Sequence, residues 1–351
     1  MKKAIALILA TLVCGSMLGG CSSSSSSTAA SNSNTASKAA GTTNSNAIVI
    51  QVGYENNPSE PIHKAMLKWQ QLVKEKSKGS MELQLFPSGQ LGGKNDLIDQ
   101  MAAGSAVMTL ADGAFYADRG VKDFGIVFAP YLFDTWDQCW KLTKSSWYKD
   151  QCDKLEKQGL KIVSSDWEYG DRDTLTKKLV KTPQDLKGMK IRVPNNKIQI
   201  NTFKALGATS TPMNLNDVYT ALQQGTIDGL ENPVSVLYNG KYFEVAKYLL
   251  LDSHVKNFTT WVCGTSFFNS LTKEQQDILV STGDEAGLYN NKLTETSTDE
   301  LIKKMEQAGV TVTTPTDEEK NAFKQAAQPF YEQYKSEWSA NLYETVKAAM
   351  K

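Results

Sequence analysis

The sequence predicts an α/β protein of two similar lobes crossed by one long helix. Three observations lead there. First, about 305 of the 351 residues, from Ala47 onward, have the composition of packed chain, and domains usually run ~100–200 residues. Second, strand and helix patterns alternate in two separate blocks, which argues for mostly parallel sheets with short connections. Third, the stretch from Thr272 to about Gln307 contains no proline and only Gly283 and Gly287 as weak points. As a helix at ~1.5 Å per residue it spans ~54 Å, more than one lobe.

The first block opens with Ala-Ile-Val-Ile-Gln-Val-Gly (47–53), a buried strand. Ser59 and Pro61 start a helix in which Ile62, Ala65, Met66, Trp69, Leu72 and Val73 share one face at 3.6 spacing. Lys74 to Lys78 add late positive charge and Gly79 stops it. A strand over Met81–Phe86, a helix over 94–102 and a strand over Val107–Leu110 complete the block. The second block has a strand at Lys161–Ser164, a short helix from Thr182 to Gly188, and a strand at Met189–Val193. Helices at 197–206 and 216–224 follow, then a short strand around Ile227. Thr272 with Gln275, and Thr316 with Glu319, form capping boxes that start the long helix and a later one.

The first 46 residues give an address. Lys2 and Lys3 precede a ten-residue apolar run, Ala4–Val13, too short to span a membrane and right for a secretory signal. It ends in Leu18-Gly19-Gly20-Cys21, the pattern of a bacterial lipobox, which predicts removal of residues 1–20 and diacylation of Cys21. Residues 21–46 hold ten serines and little to bury, so they read as a flexible tether of roughly 25–30 Å r.m.s. reach. Two acyl chains suffice for stable anchoring. Cys139, Cys152 and Cys263 remain, and two readings stand: a Cys139–Cys152 bridge, or three inert thiols.

Composition excludes several functions. The chain carries 38 basic and 38 acidic residues; without residues 1–20 it has 36 and 38, net −2. Such a balance offers no bulk attraction to nucleic acid. His63 and His254 lie far apart with no metal-ligand cluster, so zinc chemistry and histidine triads lack support. No GxSxG, P-loop, GxGxxG or HExxH motif occurs, so an enzyme would have no named nucleophile, and no cofactor or metal is expected.

Two arginines are better candidates. In Met-Lys-Ile-Arg-Val-Pro (189–194), alternation separates Lys190 and Arg192 from Ile191 and Val193. Arg192 then falls near the carboxyl end of a strand, where α/β sheets hold ligands. Arg172 follows Trp167 and the turn-like Tyr169-Gly170-Asp171. A guanidinium matches a carboxylate with two parallel hydrogen bonds, and the same fork also serves ordinary ion pairs. Trp167 suits either a pocket wall or the core, and His254, in Asp252-Ser253-His254-Val255, suits a structural role.

Residues 182–233 resemble the signature region of substrate-binding proteins of TRAP (tripartite ATP-independent periplasmic) transporters, the DctP family. The matching text is Thr-Pro-Gln-Asp-Leu-Lys-Gly-Met-Lys-Ile-Arg-Val-Pro (182–194), Ala-Leu-Gly-Ala (205–208), Thr-Pro-Met (211–213), Val-Tyr-Thr-Ala-Leu-Gln-Gln-Gly-Thr-Ile-Asp-Gly (218–229) and Glu-Asn-Pro (231–233). Phe86-Pro-Ser-Gly-Gln-Leu-Gly92 and the layout from Ala47 onward match too.

The resemblance implies a periplasmic-binding-protein-like (type II-like) fold with hinge strands and a long helix spanning both lobes. On it the lobes are 47–169 with 258–297, and 170–257 with 298–351. It implies a monomeric receptor, not an enzyme, that passes a small organic acid to large and small TRAP membrane subunits. Arg192 matches the family's carboxylate-holding arginine, Asn232 an asparagine that helps it, and Arg172 a second arginine. Asp112 falls where some sugar-acid binders carry a glutamate, and Glu55 where others place a polar contact. Leu215 stands where an aromatic often packs on the ligand, and a leucine offers no ring to stack. Hexuronate-like sugar acids and C4-dicarboxylates both remain open, with Glu55 and Asp112 favouring a hydroxylated guest. The rival functions are a sensory lipoprotein and an extracellular hydrolase.

Overall fold

The structure, a computed structural model, describes residues 47–351. The predicted signal segment, the tether and the Cys21 lipidation site lie outside the described residues. Nine strands form one mixed sheet: β1 (Ile48–Gly53), β2 (Met81–Phe86), β3 (Val107–Ala111), β4 (Leu160–Thr176), β5 (Lys190–Val193), β6 (Thr209–Pro212), β7 (Gly229–Pro233), β8 (Tyr248–Gly264) and β9 (Thr311–Thr313). Their order is β2-β1-β3-β8-β4-β7-β5-β6, with β9 beside β8.

The two 17-residue strands, β4 and β8, are the main departure from the sequence expectation. The alternation over Lys161–Ser164 marks only the start of β4, and β8 carries no clean period. They run antiparallel from Leu160 opposite Gly264 to Thr176 opposite Tyr248 and belong to both halves of the sheet. Four register breaks between Ile162 and Thr174 bend them mid-way. Gly170 (φ 127°) sits in this bend, where a Cβ would lie 2.8 Å from the Pro233 ring. The strand expected around Ile227 is β7, two residues later, so Asn232 lies within it.

Chain direction follows from these pairings. β3 is antiparallel to β8 and therefore runs with β4, towards the centre of the molecule. β7 is antiparallel to β4 and approaches the centre from the opposite side. β1 and β2 run parallel with β3, while β5 and β6 run parallel with β7. The parallel strands of both halves thus aim their carboxyl ends at one central cleft. Val180, Leu186, Met189, Ile191, Val193, Phe203, Phe323 and others form a core separate from the larger one.

The long helix, Lys273–Gln307, is continuous and begins at the expected Thr272 capping box. It lies along β4, against helix Pro61–Lys76 and helix Val234–Asn239. Its two glycines have a packing reason. Trp69, Trp167 and Trp261 form a fully buried cluster, with ring centroids 5.5–5.8 Å apart. A Cβ on Gly283 would stand 2.6 Å from Trp69, and one on Gly287 2.8 Å from Trp167. Each glycine costs about 1 kcal/mol of helix propensity, offset by close approach to these rings. Helix Leu342–Ala349 packs on helices Trp136–Thr143 and Ser146–Lys157. Cys139 and Cys152 are free thiols, so the bridge reading is corrected.

Candidate ligand-binding cleft

The cleft collects side chains from the strand ends just described. Glu55 follows β1, Asp112 follows β3, Arg192 is in β5, Leu215 follows β6, and Asn232 is in β7. Arg172 comes from the bent middle of β4. These six line one hollow with Lys94, Leu110, Phe115, Tyr169, Pro194, Gln199, Asn257 and Thr259. The free volume inside it is about 20 Å³, room for roughly one water. The rim is bridged: Asn95 donates to the Asn195 carbonyl (3.1 Å) and Lys197 N–H to Asp118 (3.1 Å).

Trp167 is not among the lining residues, which corrects the pocket-wall reading. It is fully buried in the tryptophan cluster, and its indole N–H donates to Ser164 (2.9 Å). An aromatic near the hinge has no sequence period that tells cleft from core; Tyr169, two residues on, lines the cleft instead.

The two arginines differ sharply. Arg172 is chelated: Nε and Nη2 donate to both oxygens of Glu231, Nη2 also to the Glu231 carbonyl (3.2 Å), and Nη1 to Asn257 (2.9 Å). Its guanidinium also lies 5.6 Å from the Phe128 ring. Glu231 in turn accepts from Gln199 (3.1 Å) and meets His254 Nε2 (3.1 Å), whose Nδ1 is 3.0 Å from Asp252. Burial works against the Glu231 charge, but Arg172 and His254 outweigh it and hold its pKa at about 2.

Arg192 has no such partner. Nε and Nη2 both donate to the Met213 carbonyl (3.0 and 2.7 Å), while Nη1 is buried with no acceptor among the described residues. Burial lowers its pKa from the usual arginine value, with Glu55 opposing. Asn232 lines the same hollow, its amide oxygen buried with no donor among the described residues. One buried, unanswered edge of a positive fork therefore faces the hollow.

The acids are held in place. Asp112 caps helix Gly113–Asp118, accepting from Ala114 N–H (3.0 Å), and burial raises its pKa against the pull of Lys94 and Arg172. Glu55 pairs with Lys94 (3.5 Å) and receives the Leu215 N–H across the cleft (3.5 Å). Sequence reasoning missed Lys94, Gln199 and Asn257. Lys94 is the first residue of its helix, where a lysine draws no notice, and Asn257 lies on the strand without a period. No group of three or more metal-ligating side chains occurs among the described residues.

Residues 52–337 match the family model for bacterial extracellular solute-binding protein, family 7 (DctP). The chain belongs to this family. A TRAP periplasmic solute-binding protein from Ochrobacterium anthropi with bound L-fuconate is 42% identical, covers 87% of this chain and 100% of its own, and superposes with TM-score 0.84. Another, from Actinobacillus succinogenes with bound L-galactonate, is also 42% identical, covers 86% and 99%, and gives TM-score 0.83. The 2,3-diketo-L-gulonate-binding periplasmic protein of Escherichia coli K12 is 36% identical over 277 residues, 79% of this chain and 84% of that protein. These DctP-type relatives are binding proteins, not enzymes, with the same two-lobed fold, and the family is extracytoplasmic.

Proposed function

We propose that this chain captures a hydroxylated sugar acid by its carboxylate on Arg192 and Asn232, and delivers it to a membrane symporter. The carrying observation is the buried Arg192 Nη1 that no group among the described residues answers. An unanswered buried donor costs about 1–3 kcal/mol, more when charged. A guest carboxylate removes that cost with two parallel bonds. Charge-assisted bonds contribute ~1.5–3 kcal/mol each, while micromolar to nanomolar binding needs ~8–12 kcal/mol. Hydroxyl-reading groups must supply the rest, and Asp112, Gln199, Asn257 and Thr259 border the same hollow. The L-fuconate and L-galactonate bound by two relatives are acids of this kind.

On this reading the lobes, 47–169 with 258–297 and 170–257 with 298–351, rotate about the bent middle of β4 and β8 as the guest is enclosed. Diacylated Cys21 tethers the receptor to the membrane, where the large and small TRAP subunits receive the acid. A thermal-shift screen over organic acids tests the capture step. At least one sugar acid raises Tm while its neutral amide does not, and Arg192→Ala weakens calorimetric binding by more than about tenfold. Equal shifts from acid and amide, or unchanged binding by the variant, refute the clamp.

A further inference from the structure

Three cations border the cleft, and their charges are not equally available. Arg172 is neutralised by the bidentate Glu231. Lys94 is paired with Glu55 at 3.5 Å, its ammonium 4.8 Å from the Phe115 ring centroid. Arg192 alone of the three makes no carboxylate pair among the described residues, bonding only the Met213 carbonyl. Against these stand two lining carboxylates, Glu55 and Asp112, both largely shielded from solvent. Their oxygens can accept protons from hydroxyls, but they repel a second carboxylate on the guest.

We propose that the cleft is charge-matched to a single carboxylate, so it takes monocarboxylic polyhydroxy acids and rejects the corresponding diacids. The Glu55–Lys94 pair is the specificity determinant. This rests on the reading of Arg192 as the carboxylate clamp. A diacid bound there must place its far carboxylate in a hollow whose other cations are already answered. Binding it means separating Lys94 from Glu55 or leaving a buried anion unpaired, and like charges set against each other are the usual source of such discrimination. A hydroxyl at the same place needs neither, since it donates to a carboxylate and accepts from a lysine.

The matched probes are six-carbon aldonates and the aldarates that differ only at C6: L-galactonate against galactarate, and L-gulonate against glucarate. Isothermal titration of the purified protein should show an aldonate bound and its aldarate weaker by about 30-fold or more. Glu55→Gln frees Lys94 and should bring the aldarate to within about threefold of the aldonate. Lys94→Gln leaves Glu55 bare and should widen the gap. Opposite movements from two neighbouring substitutions cannot come from general loosening, and circular dichroism confirms that each variant is folded. An aldarate bound by the native protein as tightly as its aldonate overturns the inference while leaving the sugar-acid reading standing. A ratio unmoved by both variants overturns the role of the pair. Binding of none of the four acids overturns the sugar-acid reading itself.

Discussion

His254 allows a quantitative test of the charge chain under the cleft. Its ring lies fully buried between Asp252 and Glu231, edge-on to Phe203 at 5.2 Å. Burial alone would push its pKa down, but Asp252 and Glu231 outweigh burial and lift it from 6.5 to about 9. At ~1.36 kcal/mol per pKa unit, that gap corresponds to about 3 kcal/mol of folding stability. A raised pKa means that the folded state holds the proton more tightly. The contribution is therefore complete below pH 6.5 and disappears as the pH rises through 9.

Other groups titrate outside most of this window. Glu60 and Glu168 are lifted by burial to about 7, so their effect lies between their ordinary 4.5 and pH 7. Cys152 and Cys263 are lifted from 9 to about 12, and act only above pH 9. Between pH 7 and 9 His254 leads the change, joined by Asp173, whose carboxyl burial and Asp252 raise well above the ordinary value and which loses stability in the same direction as the pH rises. At ~2–4 °C per kcal/mol, Tm should fall by about 5–10 °C across that range. Scanning calorimetry of the native protein and His254→Gln, in buffers from pH 6 to 9.5, reads it directly. The variant should start lower and fall less steeply. A native Tm that does not fall, or a variant with the native slope, refutes the assignment of a protonated His254.

Two further predictions concern the tryptophan cluster. Gly287→Ala should lower Tm by about 3–8 °C, although alanine is the better helix former by about 1 kcal/mol, because the added methyl meets Trp167 at 2.8 Å. A higher Tm would show that the close approach is not real. Trp167→Phe should also lower Tm, through loss of the bond to Ser164 and of packing, but leave ligand affinity within about twofold. A tenfold loss of affinity would return Trp167 to the cleft wall.

The sequence was most legible where one face of a regular element is buried. Helix Pro61–Lys76, β1, β2, β3 and β5 all fall within a few residues of their hydrophobic periods, and the two capping boxes start the helices that they predict. Legibility failed at β4 and β8, for a physical reason. Most of their residues are buried on both faces and their register is broken four times, so neither alternation nor a uniform apolar run survives. The candidate site residues on shorter elements line one hollow because strand ends converge there. Lys94 and Asn257 were invisible, since their importance arises from neighbours far away in sequence.

The same limit explains why two arginines that look equivalent in sequence behave differently. Each sits on a strand beside the cleft, and each is buried to within a few per cent. What separates them is Glu231, 59 residues from Arg172 along the chain, brought to it by the antiparallel pairing of β4 and β7. Glu231 takes three of the five Arg172 N–H bonds and Asn257 of β8 a fourth, so Arg172 is a rigid wall with one hydrogen to spare. Arg192 is held by a single carbonyl, which fixes the direction of its fork without neutralising it. A receptor for an anion needs both: a cation whose charge is still available, and surroundings whose charges are already spent on one another. Were Glu231 paired with Arg192 instead, the cleft would contain the same residues and grip a carboxylate poorly.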